Sequence, residues 1–440
     1  MENVDTLILA AHVLPVEPRA ALPNHAVAVR GGRIAAVLPS DQALARFEAR
    51  EVVRLDRHVV FPGLVNLHCH AAMSLLRGLA DDRHLMAWLQ EHIWPAEARH
   101  VSDEFVHDGS LLAMAEMLRA GTTCVNDMYM FPGATARAAL RAGMRAALGI
   151  IAIEFPTAYA ADPQDYLAKG LATRDAYRGE PLLSFCLAPH APYTVGDETM
   201  KKIAVLSEEL DVPIHTHVHE TIAEIEQGFV RNGVRPIERL RALGIVGPRL
   251  IAVHSVHLDD AEIDLFARES VSVAHCPSSN MKLASGVAPV AVMRQRGVRV
   301  GLGTDGAASN NRLDILTEMR TAALLAKVTS GDASLITALE ALEMATLDGA
   351  RALGLDAEIG SLLPGKSADI AAMELSAIET VPRYDAASHL VYAAGRENVT
   401  HVWVEGRARL VERRLTGLDE QDLVDRAGWW QGRIANEQQH

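Results

Sequence analysis

The sequence has few cysteines, and none of them form a recognisable pair. Its four cysteines are spread over 440 residues without a C-x-x-C spacing, so neither a disulfide scaffold nor a zinc knuckle built from thiolates is expected. This usage is typical of a protein that works in a reducing compartment. We therefore expect a cytoplasmic location.

Positive charge and long apolar runs are also scarce. Lys and Arg number 42 against 56 Asp and Glu, a formal net charge of −14 at pH 7, and no long basic run is present. This balance disfavours nucleic acid and anionic membranes as partners. The first residues are acidic where an export signal needs positive charge, and no stretch of about 18 uncharged apolar residues occurs. We expect a soluble protein that acts on a small molecule.

Short strand-like segments occupy both ends of the chain. The N-terminal region contains five β-prone runs: Thr6–Leu9, Ala26–Val29, Ile34–Val37, Val52–Leu55 and Val59–Phe61. Gly31-Gly32 between the second and third runs predicts a tight hairpin, because glycine tolerates the positive φ that such turns need. Further β-prone runs occur near the C-terminus, in residues 369–373 and 400–415. We predict a small β-sandwich built from both chain ends.

The middle of the chain alternates apolar strands with helix-length amphipathic segments, the signature of βα units around a parallel sheet. Eight candidate strands fit a (β/α)8 TIM barrel: Leu64–Leu67, Thr122–Asn126, Arg145–Ile150, Leu182–Leu187, Val212–His215, Leu250–Val253, Ser272–Ala274 and Val298–Gly301. The predicted fold class is therefore α/β. The predicted domains are the first part of the sandwich, the barrel, the second part of the sandwich and a C-terminal helix: residues 1–61, 62–366, 367–417 and 418–440.

Two histidines end the first predicted barrel strand. In Asn66-Leu-His68-Cys-His70, side chains two residues apart point to the same side of an extended chain, so both imidazoles can reach one metal ion. A pair of core or exposed histidines would give the same spacing. The motif therefore needs support from elsewhere in the chain.

That support comes from the ends of three other predicted barrel strands. The candidate ligands are His215, His217 and His219 at the fifth strand, His254 at the sixth and Asp305 after the eighth. The C-terminal ends of barrel strands meet at one rim, so we predict a metal site there. Strand alternation alone does not separate the three histidines of the fifth strand.

A glycine motif offers a competing interpretation. Gly301-Leu-Gly303-Thr-Asp-Gly306 matches G-x-G-x-x-G, the dinucleotide-binding turn of many oxidoreductases. That turn opens a βαβ unit, with an acidic residue about 20 positions on at the end of the next strand. Here the motif ends the strand series and helical sequence follows. A dinucleotide-binding oxidoreductase is therefore the alternative class, not the preferred one.

Four motifs occur in order along the chain: Pro62-Gly-Leu-Val-Asn-Leu-His68-Cys-His70, His217-Val-His-Glu220-Thr, Gly303-Thr-Asp305-Gly-Ala-Ala-Ser-Asn-Asn311 and Leu363-Pro-Gly-Lys-Ser-Ala-Asp369. Together they resemble the amidohydrolase superfamily, most closely its 5-methylthioadenosine/S-adenosylhomocysteine deaminase branch. The resemblance covers nearly the whole chain. Triazine chlorohydrolases and guanine deaminases share these superfamily motifs. A hydrolase or deaminase of another amino-substituted heterocycle is therefore the alternative within this class of enzyme.

The resemblance implies a metal centre with four ligands from the protein: His68, His70, His217 and Asp305. The choice of His217 rests on the family's spacing to Glu220. The metal is usually zinc, with Fe2+ or another divalent ion as alternatives, and a water completes its shell. Some members bridge two metals through a modified lysine, but the only lysine between residues 100 and 200 is Lys169, in a polar helical stretch. One ion per subunit is expected.

The implied chemistry is hydrolytic deamination. A divalent ion lowers the pKa of bound water towards about 7, so that hydroxide can attack the amino-bearing carbon of a purine. Glu220 is expected to pass a proton from the water to the ring nitrogen, and His254 and Asp305 to orient the attacking oxygen. The implied reaction converts 5′-methylthioadenosine to 5′-methylthioinosine and ammonia.

Three residues are expected to contact the substrate. Glu97 resembles the acidic residue that accepts hydrogen bonds from ribose hydroxyls in this branch, and His190 resembles its adenosine-contacting histidine. Trp88 is expected to line the purine or thioether pocket. Each also has a plainer interpretation without a functional role. Glu97 would be a solvated helix carboxylate, His190 a loop histidine and Trp88 a helix residue packed in the core.

The loop after the third predicted barrel strand bears on specificity. Members that accept S-adenosylhomocysteine carry arginines there, which can pair with the amino-acid carboxylate. No arginine occurs between Arg145 and Arg174 in this chain. We therefore expect methylthioadenosine to be preferred, with S-adenosylhomocysteine or adenosine as weaker substrates. Because oligomers are common in the superfamily, a homo-oligomer is expected.

Overall fold

The computed structural model describes residues 1–83 and 85–437, so residues 438–440 of the predicted C-terminal helix lie outside the described residues. The chain divides into two compact units. One comprises Met1–Asn66, Ala115–Cys124 and Asp314–Leu418, and the other comprises Leu67–Met114, Val125–Leu313 and Asp419–His440. The domain boundaries drawn from the sequence remain a prediction.

Sixteen strands occur in the described residues and form two sheets. They are β1 (Glu2–Val13), β2 (Leu22–Arg30), β3 (Arg33–Pro39), β4 (Phe47–Pro62), β5 (Leu64–Cys69), β6 (Thr122–Asp127), β7 (Arg145–Ala152), β8 (Leu183–Pro189), β9 (Ile214–Val218), β10 (Leu250–His254), β11 (Ser272–His275), β12 (Arg299–Leu302), β13 (Ile370–Glu374), β14 (Val399–Val404), β15 (Arg407–Val411) and β16 (Arg414–Leu415). Strands β1–β4 and β13–β16 form one sheet, and β5–β12 form the other.

The α-helices of the same residues are α1 (Ser40–Arg46), α2 (Leu85–Trp88), α3 (Trp94–His100), α4 (Asp103–Arg119), α5 (Pro132–Ala142), α6 (Pro163–Ala176), α7 (Asp197–Leu210), α8 (Ile222–Asn232), α9 (Pro236–Ala242), α10 (Asp260–Arg268), α11 (Pro277–Lys282), α12 (Val290–Gln295), α13 (Ala307–Asn310), α14 (Ile315–Ser330), α15 (Ala338–Met344), α16 (Leu347–Ala352), α17 (Ala386–Ser388) and α18 (Glu420–Glu437). Shorter 3-10 turns span Ala71–Leu76, Ile378–Thr380 and Arg396–Asn398, and π turns span Leu89–Ile93 and His389–Ala393. Within the described chain, none of the helices combines the length and apolar character needed to cross a bilayer.

The mixed sheet joins the two ends of the chain, as the sequence predicts. Its order is β16-β15-β14-β13-β4-β1-β2-β3, and β13 pairs antiparallel with β4. Gly31 and Gly32 form the hairpin between β2 and β3 with φ angles of 57° and 77°, the positive values that only glycine adopts without strain. Apolar side chains from β1–β4, β13 and β14 share one buried cluster, the core of this sheet.

The parallel sheet is the predicted (β/α)8 barrel. Its strand order follows the chain from β5 to β12, and from β7 to β12 each strand runs parallel to the next. Parallel strands need long crossovers, which the intervening helices supply. The Asp305 N–H, just after β12, donates to the His68 carbonyl in β5 at 3.0 Å, which brings the two ends of the sheet order together. The C-terminal ends of these strands carry the candidate site.

Two sequence expectations about strands need correction. Val52–Leu55 and Val59–Phe61 belong to one strand, β4, because β1 pairs with both parts and carries the strand past the charged residues between them, with a register shift between Ala10 and His12. The fifth barrel strand is Ile214–Val218 rather than Val212–His215. The observed strand continues past His215 to include the buried His217, so it reaches further towards the C-terminal rim of the barrel.

Candidate metal centre and active site

Five of the six residues predicted to act at the metal and the reacting atoms are considered first, and they lie at or just after the C-terminal ends of barrel strands. His68 lies in β5 and His70 directly follows it, His217 lies in β9, His254 ends β10, and Asp305 comes three residues after β12. Parallel strands that end at one rim place such side chains close together. The convergence expected from the sequence is present in the geometry.

The imidazole and carboxylate atoms of this set lie close enough to share one ion. Nε2 of His68 and Nε2 of His70 each lie 3.3 Å from Oδ1 of Asp305. The ring centroids of His68 and His217 are 4.9 Å apart. His68, His70 and Asp305 form one group, and His68, His217 and His254 form another, whose donor atoms lie within 4.8 Å of each other. The shared member, His68, joins the two groups.

Hydrogen bonds to carbonyl groups fix which ring nitrogen faces the cluster. Nδ1 of His70 donates to the Met128 carbonyl at 2.6 Å, and Nδ1 of His217 donates to the His190 carbonyl at 2.6 Å. Because a carbonyl oxygen only accepts, the proton of each neutral ring is on Nδ1 and the lone pair is on Nε2. Such bonds orient histidine ligands in metal sites. Both rings are therefore prepared to bind a cation.

His68 and Asp305 complete the donor set. Nε2 of His68 is buried and makes no hydrogen bond to any described residue, while its Nδ1 lies 2.9 Å from Nε2 of His215. The Asp305 carboxylate is oriented by the hydroxyls of Ser279 and Ser309, which donate to Oδ2 at 2.6 and 2.7 Å. A buried, unpaired imidazole nitrogen beside an oriented carboxylate fits a divalent metal ion.

The structure separates the three histidines of β9, which sequence alternation could not. His215 points to His68, and His217 lies with the cluster. His219 lies beyond the end of β9 with a φ of 52°, and this left-handed conformation turns its side chain elsewhere. Its Nδ1 lies 3.5 Å from Oε2 of Glu262. Of the three, His217 is the one whose ring nitrogen lies in the cluster with His254, and its assignment as a ligand stays a prediction.

Burial keeps the imidazoles in the form that metals bind. Burial lowers the pKa of His68 to about 3, and it lowers the pKa of His217 well below the usual value, with a further contribution from neighbouring imidazoles. Both rings are therefore neutral at pH 7, and neutral imidazole is the ligand form. No proton has to leave before an ion binds to these two rings.

The glycine motif after β12 serves the histidine cluster. A Cβ at Gly303 would lie 2.9 Å from Cβ of His68, and a Cβ at Gly306 would lie 3.3 Å from Cβ of His70. The segment is followed by the helices α13–α16 and not by a βαβ crossover. The dinucleotide-binding interpretation is therefore wrong, because the glycines make room for the histidine side chains beside them.

Glu220 lies next to the cluster and is held from two sides. Its carboxylate is buried, with Oε2 3.8 Å from Nε2 of His254 and Oε1 accepting a hydrogen bond from the Ser285 hydroxyl at 3.4 Å. Its backbone N–H donates to the Glu224 carboxylate at 2.9 Å. Burial raises the pKa of Glu220 above the usual carboxylate value. A carboxylate with a raised pKa can both accept and return a proton.

His254 is oriented by an amide side chain. Nδ1 of His254 lies 2.8 Å from Oδ1 of Asn280, so Nδ1 donates and Nε2 has the free lone pair. That nitrogen faces Glu220. The arrangement places a hydrogen-bond acceptor beside the carboxylate and next to the His68 and His217 rings.

A pocket opens above the cluster and is lined by the three residues predicted to contact substrate: Trp88, Glu97 and His190. Trp88 is buried among apolar residues of the pocket wall. Glu97 is buried and accepts a hydrogen bond from the Tyr129 hydroxyl at 2.6 Å. Burial raises the pKa of Glu97, and the Tyr129 bond opposes that rise. The pocket therefore combines an apolar wall with a few polar groups, as small-molecule sites do.

Sequence reasoning missed several residues that support the site: Tyr129, Glu224, Asn280, Ser279 and Ser309. Tyr129 comes two residues after β6, so the strand-end argument would have found it if it had been applied to tyrosine as well as to histidine and aspartate. Ser309 lies within the Gly303–Asn311 motif. Glu224 follows Thr221 with the T-x-x-E spacing of a helix start, so a local signal for it was present. Asn280 and Ser279 act through hydrogen bonds that depend on tertiary contacts, and no local spacing signals them.

Comparison with known proteins places the chain in a family. A model described as the amidohydrolase family matches residues 59–409. A protein of Saccharophagus degradans named 5-methylthioadenosine/S-adenosylhomocysteine deaminase is 46% identical over 431 residues, which cover 98% of this chain and 97% of that protein.

Solved structures agree with this placement. One described as an adenosine deaminase from Xanthomonas campestris with bound zinc is 48% identical, has a TM-score of 0.98 and covers 99% of both chains. The zinc complex of an atrazine chlorohydrolase from Arthrobacter aurescens, at 23% identity and a TM-score of 0.89, covers 97% of this chain and 99% of that one and shares the fold. The chain belongs to the amidohydrolase family.

Proposed function

We propose that this protein is a zinc-dependent deaminase that hydrolyses 5′-methylthioadenosine to 5′-methylthioinosine and ammonia. The observation that carries the proposal is the convergence of four potential ligands and one buried carboxylate, Glu220, at a single pocket; all of them except the fully buried His68 line that pocket. The names of the full-length relative and of the 48% identical structure, a methylthioadenosine/S-adenosylhomocysteine deaminase and an adenosine deaminase, supply the substrate class.

The metal ligands in this proposal are His68, His70, His217 and Asp305, and they would hold one ion per subunit. Three imidazole nitrogens and one carboxylate form a donor set that zinc accepts readily. When bound, a divalent ion supplies a water of lowered pKa at neutral pH. The carbonyls of Met128 and His190 keep two of the rings in the ligand orientation.

Glu220 is the proposed proton carrier. It accepts a proton from the attacking water and delivers it to the purine ring nitrogen, while the oxygen adds to the amino-bearing carbon. The remaining proton of the added hydroxyl then passes to the amino group, with the help of His254 and Asp305. The C–N bond breaks, ammonia leaves and the ring carbonyl of the product forms. The raised pKa of Glu220 suits it to both accept and donate, and Ser285 and Glu224 restrict its position.

His254 and Asp305 are proposed to orient the attacking oxygen. Nε2 of His254 has a free lone pair beside Glu220, because Nδ1 is committed to Asn280. Asp305 is held by Ser279 and Ser309, so its carboxylate keeps one orientation through the reaction.

Glu97, His190 and Trp88 are proposed to position the nucleoside. Glu97, oriented by Tyr129, would accept hydrogen bonds from the ribose hydroxyls. His190 faces the pocket, with Nδ1 3.0 Å from the Thr194 hydroxyl. Trp88 supplies apolar surface for the purine or the thioether.

Three further expectations stay predictions. They are the preference for methylthioadenosine over S-adenosylhomocysteine, the cytoplasmic location and the homo-oligomeric state.

The proposal is tested by ammonia release from zinc-loaded protein. The substrates are methylthioadenosine, adenosine, S-adenosylhomocysteine, guanine and an aminotriazine. We expect the highest kcat/KM with methylthioadenosine, and a higher value with guanine or the triazine would favour the alternative. Glu220→Gln should abolish turnover without loss of zinc, whereas Glu226→Gln, on the exposed part of α8, should retain both. Undiminished turnover in the Glu220 variant would refute its role.

A further inference from the structure

Two consecutive residues at the end of β6 hold His70 from three directions. The Met128 N–H donates to the Cys69 carbonyl at 2.9 Å, just before His70. The Met128 carbonyl accepts the proton on Nδ1 of the His70 ring at 2.6 Å. Just after His70, Oδ1 of Asp127 accepts the Ala71 N–H at 2.7 Å. The ring of His70 and the backbone on both sides of it are therefore fixed by the neighbouring strand.

The bond to Asp127 caps a turn that has no cap of its own. The 3-10 turn Ala71–Leu76 begins directly after His70, and the side chain of His70 does not cap it. The first N–H groups of such a turn have no partner inside it, so they need an acceptor from elsewhere. Asp127, 56 positions along the chain, provides one for Ala71. A carboxylate of β6 therefore sets the direction in which the chain leaves His70.

The Asp127 carboxylate is itself held in place. It is buried, and its Oδ2 accepts a hydrogen bond from the Thr135 hydroxyl of α5 at 3.2 Å. The backbone that it caps is closely packed as well, because a Cβ at Gly109 of α4 would lie 2.4 Å from the Ala72 carbonyl oxygen. Each oxygen of Asp127 thus has a protein donor. Among the described residues, Asp127 is not one of the groups that could share the metal ion.

We infer that Asp127 is a positioning residue for the metal centre, and that its hydrogen bond to the Ala71 N–H places the His70 ring for metal binding. Nε2 of His70 lies 3.3 Å from Oδ1 of Asp305, and loss of the cap would let the ring shift relative to that carboxylate. Replacing a residue that orients a metal ligand commonly weakens metal binding about ten- to a hundredfold. The inference rests on the proposed function, because it takes His70 to be a metal ligand.

Zinc binding by three variants tests the inference, with the dissociation constant measured by competition between metal-free protein and a chromogenic chelator. Asp127→Ala removes the acceptor, so the dissociation constant should rise about tenfold or more. Asp127→Asn keeps an oxygen for the Ala71 N–H, and its amide can donate to the Thr135 hydroxyl, so its affinity should stay close to that of the wild type. The control is Ser110→Ala, which removes a buried hydroxyl beside Thr135 and should bind zinc as the wild type does.

Cobalt reports the geometry of the site separately from folding stability. The visible absorption of protein-bound Co2+ depends on how its ligands are arranged. Asp127→Ala should therefore change the positions and intensities of the bands, whereas Asp127→Asn should keep them. A loss of stability alone would not move the bands. Unchanged zinc affinity and cobalt absorption in Asp127→Ala, or losses of equal size in the two Asp127 variants, would overturn the inference.

Hydrogen–deuterium exchange of the wild-type protein is a second measurement, which decides the matter if Asp127→Ala does not fold. The bonds of Asp127 and Met128 join protein groups only, so the turn after His70 should exchange slowly in metal-free and in zinc-loaded protein. Rapid exchange of this turn in the metal-free protein would overturn the inference. Turnover enters none of these readouts. A protein that binds zinc but deaminates no nucleoside would defeat the proposed function, and the Asp127 variants would still decide the inference.

Discussion

The Glu224 carboxylate accepts two consecutive backbone N–H groups, that of His219 at Oε1 and that of Glu220 at Oε2, each at 2.9 Å. The two bonds hold the chain where β9 ends and α8 begins, and Glu220 is the residue proposed to move the proton. Burial raises the pKa of Glu224, and the two N–H groups oppose that rise. A residue outside the predicted set therefore holds the backbone of Glu220, the residue proposed to move the proton.

Glu224→Gln should slow catalysis without emptying the metal site. The amide retains one acceptor oxygen but presents an N–H2 group to a backbone donor, so one of the two bonds is lost. We expect kcat to fall about tenfold, with KM and zinc content nearly unchanged. Steady-state kinetics and metal analysis check this. Glu226→Gln on the same helix is the control, and equal kinetics in the two variants would contradict the role of Glu224.

Tyr129→Phe should weaken binding of the ribose. The substitution removes the hydroxyl that donates to the buried Glu97 at 2.6 Å, so the carboxylate loses its orientation. We expect KM for methylthioadenosine to rise about fivefold, while kcat changes little. The same comparison with a 2′,3′-dideoxy analogue should show no difference between variant and wild type. A rise of equal size for both substrates would mean that Tyr129 supports the pocket in general and not through Glu97.

The alternating histidines of β9 should differ in their effect on metal. His217→Ala removes a proposed ligand, so we expect the zinc content per subunit to fall far below one, and activity to be lost. His219→Ala removes a ring that faces Glu262, so zinc content should stay near one even if stability drops. Metal analysis of the two purified variants, with thermal unfolding as a check on folding, distinguishes them. Loss of zinc in both variants, with folding intact, would argue against the choice of His217.

Chelation should remove both activity and part of the stability. An ion that binds only the folded chain stabilises it, so extraction of the metal should lower Tm and stop ammonia release. Zinc added back should restore both. A chelated protein that keeps full activity would contradict a metal-dependent reaction.

Much of the barrel could be predicted because its signals are local. A buried parallel strand is a short apolar run between polar segments, and each of the eight predicted barrel strands overlaps an observed one. The clearest difference is in β9, where His215 and His217 are polar by type but buried in the strand. The same preference for apolar residues made β4 look like two strands, since pairing with β1 carries it past its exposed charges.

Without the family resemblance, which pointed to Glu97 and Trp88 on helices, the candidate site was predictable only where its residues are strand-end neighbours. His68, His70, His217, His254 and Asp305 all follow that rule. The groups that orient them do not, because the His190 and Met128 carbonyls and the Asn280 amide are brought in by tertiary packing.

The central claim is that side chains far apart in sequence share one metal ion at the rim of the barrel. The most direct test is a crystal structure of the zinc-loaded protein with an anomalous difference map recorded at the zinc edge. We predict one peak bonded to Nε2 of His68, His70 and His217 and to a carboxylate oxygen of Asp305, at about 2.0–2.2 Å. A map without a peak among these four residues in an active, zinc-containing protein would contradict the account.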